Sequence, residues 1–103
     1  MFRVAVCYFE PTDPEAFDAY YTTVHVPLTL KVPGLVSLTT GKCRSLMPGK
    51  PAPYYMVATL TFNTADDMKA ALKSPEMAAA GQDVANFATN GATMYSTEEI
   101  ERQ

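Results

Sequence analysis

From Phe2 to Phe9 the chain is almost continuously apolar, with valines at alternate positions, which predicts a strand covered on both faces. Glu10-Pro11-Thr12 ends it. Asp13-Pro14-Glu15 then has the form of a helix start, with an N-cap acid, proline at the first helical position and an acid in the first turn. Phe17, Tyr21, Val24 and Leu28 recur at helical spacing and predict the buried stripe of an amphipathic helix. Pro27 predicts a kink or an end close to His25, and Pro33-Gly34 closes the segment. Leu35 to Arg44 reads as a second strand, Ser45 to Pro53 as a proline-rich loop, and Tyr54 to Phe62 as a third strand. Thr64 caps a short helix that runs through Leu72. Ser74-Pro75-Glu76 starts another, with Met77, Ala80, Val84 and Phe87 as its stripe. Asn90-Gly91 turns the chain into a last strand, Ala92 to Ser96, and a charged tail from 97 to 103 is expected to fray.

The order βαββαβ predicts an α+β ferredoxin-like domain over residues 1–96. It has a four-stranded antiparallel sheet with both helices on one face. The first and third strands present apolar residues both ways, so the face without helices is expected to be apolar and covered by a second copy, giving a homodimer through the open sheet face.

Composition removes several classes of function. The formal charge is −3 and the basic residues are scattered, so no nucleic-acid surface is expected. No run approaches a membrane span. The opening run Met1–Val6 is too short for a signal core and reads as a strand. Cys7 and Cys43 lie in separate strand-like runs, and are expected to be reduced in a cytoplasmic protein. Arg3 and Arg44 read as sheet-edge charges. One histidine and two separated cysteines make no standard zinc site, and no glycine-rich loop follows a strand, so no metal or nucleotide cofactor is expected.

His25 is the only histidine. An imidazole is the side chain best suited to proton transfer near neutral pH. Lying i+4 from Tyr21, it is expected at the apolar face of its helix or on the edge of that face. It is either a general acid or base beside a cleft, or a partly buried ring bonded to a backbone carbonyl. Tyr21 one turn earlier, and Tyr8 and Tyr55 on strands, offer phenols that could donate to a carbonyl or enolate oxygen, or serve as core aromatics. Asp83 could orient His25 or bind a polar ligand group; a solvated acid, or one paired with Asn86, is the alternative. Tyr8, Tyr55, Met56, Phe62, Asp83 and Phe87 are the expected substrate-binding set, with His25 and Tyr21 catalytic.

The run from Tyr20-Tyr21 through His25-Val26-Pro27-Leu28 to Val32-Pro33-Gly34-Leu35 resembles the signature of the EthD family. So do the strand ending at Phe62, Ser74-Pro75-Glu76 and the run Asp83 to Phe87. The resemblance implies a dimeric α+β barrel from a pathway that degrades or tailors small organic molecules. Its superfamily includes lactone isomerases, cofactor-free oxygenases of aromatic polyketides, haem-binding barrels and accessory proteins. Three readings follow: a cofactor-independent enzyme using His25 on a small hydrophobic substrate, a non-catalytic binder in an oxidative pathway, and a haem-binding or oxygenase-type barrel.

Overall fold

A computed structural model describes all 103 residues. The strands are β1 (Phe2–Tyr8), β2 (Ser37–Lys42), β3 (Met56–Phe62) and β4 (Ala92–Glu98), and the sheet order is β2-β3-β1-β4 with every pair antiparallel. This is the ferredoxin-like α+β arrangement, with helices on one face. The helical segments are α1 (Pro14–Tyr20), a π-helical turn (Tyr21–His25), α2 (Val26–Thr29), α3 (Ala65–Leu72) and α4 (Pro75–Phe87).

Local chemistry accounts for the boundaries. Asp13, Thr64 and Ser74 each cap a helix by accepting from the backbone N–H three residues on. Gly34 (φ 76°) and Gly91 (φ 85°) occupy left-handed backbone at the turns into β2 and β4, where a side chain would be strained. The core lies between sheet and helices. Val4, Val6 and Tyr8 of β1 and Met56, Ala58, Leu60 and Phe62 of β3 meet Phe17, Tyr21, Met68, Ala71 and Phe87 from the helices.

Four expectations are corrected. The stripe of the first helical segment does not run through Val24 and Leu28: Val24 is exposed, and Phe17, Tyr21, His25 and Thr29 are the buried positions. The cause is the π turn, in which the Val26 N–H reaches back five residues to the Tyr21 carbonyl and rotates all that follows by one position. Nor does Pro27 end the helix, which continues through Thr29. β4 runs on to Glu98, so the tail is held further than expected: the Glu99 N–H donates to the Met1 carbonyl and Arg3 pairs with Glu99 at 2.8 Å. The same correction covers Arg3, which lies on β1 between β3 and β4 and not at a sheet edge.

The fourth correction concerns the open sheet face. The register places Arg3, Ala5 and Cys7 of β1 there, flanked by Val57, Thr59 and Thr61 of β3 and by Thr93, Tyr95 and Thr97 of β4. Ala5, Cys7, Val57 and the half-exposed ring of Tyr95 are its apolar residues, and Arg3 with four threonines interrupts them, so the face is mixed rather than a continuous apolar surface. Threonine satisfies the β preference of an exposed strand without adding much apolar area. Both cysteines are free thiols. No helix is long and apolar enough to cross a membrane.

Candidate active site

The π turn carries His25 into the interior, where α4 presents Asp83. His25 Nδ1 lies 2.9 Å from Asp83 Oδ2, and both side chains are more than nine-tenths buried. The other carboxylate oxygen accepts from the Tyr20 hydroxyl at 2.6 Å and from Asn86 Nδ2 at 3.0 Å. Burial by itself would raise the Asp83 pKa. The donors Tyr20, Asn86 and His25 together outweigh it and hold the carboxyl below its ordinary value, so it is ionised at neutral pH. An ionised carboxylate only accepts hydrogen bonds. His25 Nδ1 must therefore carry a proton, and the neutral ring keeps its lone pair on Nε2. Phe87 backs the imidazole with its ring centroid 4.7 Å away.

That second nitrogen faces a cavity. Nε2 has no hydrogen-bond partner in the chain, yet no fully buried side-chain nitrogen or oxygen is left unpaired, so this atom reaches accessible space. The cavity's floor is Val6 and Tyr8 of β1 with Ala58 and Leu60 of β3, and Tyr21, His25 and Thr29 form one wall. Ala80 lines the opposite side, on α4. The cavity is half open: the centres of water-sized molecules have about 40 Å³ to occupy, room for a few waters, and all the empty space out to its open side is about 390 Å³.

The walls are apolar except for His25, Thr29 and the phenols of Tyr8 and Tyr21. Thr29 turns its hydroxyl to the His25 carbonyl, 3.1 Å away. The rings of Tyr8 and Tyr21 meet edge to face at 5.8 Å. Burial pushes Tyr21 up to about 12, against a smaller lowering by Tyr8, and pushes Tyr8 higher still. Both phenols are therefore neutral donors throughout the physiological range. The site is thus a braced histidine and two protonated phenols around an apolar hollow.

Among the residues expected from sequence, His25, Tyr8 and Tyr21 line this cavity, while Asp83 and Phe87 stand directly behind the imidazole. Tyr55 does not join them: its ring packs on Phe17 and its hydroxyl donates to Asp18 beside Lys42. Met56 and Phe62 are buried in the core without lining the cavity. The proline-rich loop lines a separate open hollow with Phe9, Cys43 and Tyr54. Sequence reasoning passed over Tyr20, Thr29 and Met94. Thr29 follows from the phase shift that only the π turn reveals, whereas Tyr20, on α1 ahead of that turn, is placed by the packing of α4 that brings Asp83 to its hydroxyl.

A ferredoxin-like α+β protein with a carboxylate-braced histidine over an apolar pocket is the class so defined. The EthD domain profile matches residues 10–91, and the chain belongs to the EthD family. It is 43% identical over 99 residues to an 11.0 kDa protein in the thcB-thcC intergenic region of Rhodococcus erythropolis, covering 96% of this chain and 95% of that one. Among solved structures it resembles an EthD family protein from Bacillus halodurans, with TM-score 0.87, 28% identity, and 97% and 99% of the two chains covered. A dimeric ferredoxin-like protein from Thermobifida fusca shares the fold at TM-score 0.68 and 16% identity, over 95% and 90% of the chains.

Proposed function

We propose that this EthD-family protein is a cofactor-independent proton-transfer enzyme for a small hydrophobic carbonyl compound. The observation that carries this reading is the buried His25–Asp83 pair, which engages Nδ1 and leaves Nε2 as the unpartnered ring nitrogen beside an apolar cavity. His25 Nε2 removes a proton from the carbon next to the carbonyl, Tyr8 and Tyr21 donate to the developing enolate oxygen, and the imidazolium returns the proton to the same or a conjugated carbon. The product is an isomer or an exchanged substrate, and no electrons leave the pair of molecules. Asp83 stabilises the imidazolium formed in between. A base placed in this way contributes on the order of 10²–10⁴ in rate.

The test is deuterium incorporation at the α-carbon of simple aryl ketones in D₂O, followed by NMR. His25→Gln should reduce exchange to background while thermal unfolding stays close to that of the parent. Equal exchange in the two proteins would refute the assignment. The apolar hollow also suits a binder that holds a compound without turning it over; ketone binding with no exchange would select that accessory role.

We further propose a homodimer through the open sheet face. The accessible surface is 6592 Å², whereas a compact monomer of this mass presents about 5,700 Å². The difference is close to the ~800 Å² that one partner contributes to an ordinary interface. Edge strands β2 and β4 are exposed along nearly their whole length. The Thermobifida fusca relative is described as dimeric.

A further inference from the structure

Gly81 stands in the middle of the thirteen-residue helix α4. Glycine is the poorest helix former after proline, so its presence in a helix interior calls for a reason. Two common reasons do not apply. Its φ is not positive, unlike those of Gly34, Gly49 and Gly91, and a Cβ built on it would meet nothing within 4 Å. Neither the backbone nor the packing requires glycine here.

The cavity supplies the reason. Met77, Gly81 and Val84 fall at i, i+4 and i+7, on one face of α4, and with Met94 of β4 they are the lining residues that reach solvent. They form the mouth, between helix and edge strand. Deeper in lie His25, whose Nε2 is unpartnered, and the two buried phenols. The hollow is half open and has room for only a few waters over its buried floor, so an organic substrate would extend outward past these residues. Met77 and Met94 can yield by rotating their thioethers, whereas a side chain at position 81 would stand in the passage.

We propose that Gly81 is the aperture of the pocket and the residue that sets the length of substrate accepted. The ligand class is an apolar carbonyl compound with its oxygen among His25, Tyr8 and Tyr21 and an aromatic or alkyl tail leaving past Gly81. This rests on the carbonyl reading above.

The single histidine provides the assay, because the one imidazole Hε1 resonance reports occupancy of the cavity without any turnover. Acetophenone and valerophenone are titrated into the parent, Gly81→Ala and Gly81→Leu, and melting temperatures are recorded. Gly81→Ala should melt about 4–8 °C higher, since alanine is the better helix former. It should bind valerophenone more weakly and acetophenone within about twofold of the parent. Gly81→Leu should lose valerophenone by tenfold or more. Unchanged affinity for both ketones in a folded Gly81→Leu protein would overturn the aperture while leaving the His25 chemistry intact. An absence of any shift in the parent would overturn both. Length-dependent binding without α-carbon exchange would remove the enzyme reading alone.

Discussion

Replacing Asp83 by Asn tests the centre of the proposed mechanism, because it changes charge and hydrogen-bonding sense at nearly constant shape. The parent carboxylate accepts three hydrogen bonds, from His25, Tyr20 and Asn86. Asparagine can keep an oxygen toward Tyr20 and Asn86 but must then turn its NH₂ toward His25. Two donors cannot face each other there, so the imidazole proton is expected to move to Nε2 and leave Nδ1 as the acceptor. Exchanging a charge-assisted bond for a neutral one costs about 1–1.5 kcal/mol, whereas Asp83→Ala would strand all three partners at about 3–5 kcal/mol. Against a typical domain stability of about 5–15 kcal/mol, the asparagine variant stays folded.

Long-range ¹H–¹⁵N correlation of the only histidine reads the tautomer directly. The parent should show Nδ1–H and the variant Nε2–H, with ketone exchange falling by about 10²–10⁴. The acid limb of unfolding should change too. The folded Asp83 pKa lies below its ordinary 3.8, so its contribution is complete above that value and is lost as the pH falls through the lower folded one. The variant should therefore lose less stability than the parent across that acid window. An Nε2–H tautomer in the parent, or full exchange by the variant, would refute the reasoning.

Tyr20→Phe removes the 2.6 Å donor to Asp83 and should lower the melting temperature; the Asp83 carboxyl should then titrate higher, as carboxyl ¹³C shifts against pH would show. Because burial pushes Tyr21 up to about 12, exchange should show no alkaline limb near pH 10. A limb there that Tyr21→Phe abolishes would contradict a buried, protonated donor. Thr59→Arg places a charge in the middle of the open sheet face and should give the monomer mass in sedimentation equilibrium where the parent gives twice that mass. A monomeric parent at micromolar concentration would end the dimer proposal.

Much of the fold was legible because its signals are local. Capping residues at 13, 64 and 74, the alternation of β3 and the Asn90-Gly91 turn each act through neighbours in the chain, and together they specify the βαββαβ order. His25 was conspicuous as the single imidazole. Its surroundings were not legible, because the π turn breaks the 3.6-residue period and moves Thr29 inside and Val24 out. Asp83 was an open candidate to orient His25, 58 residues away, or to pair with Asn86; only α4 crossing the first helical segment, which no local pattern encodes, shows that it does both. The same holds for the cavity, where strands and helices from distant parts of the chain leave Nε2 and two phenols facing one space. Sequence alone determined the elements and the kind of chemistry available. Tertiary packing decided which nitrogen of His25 meets Asp83, which residues brace the pair and where the cavity opens, because those depend on distances between segments rather than on order within them.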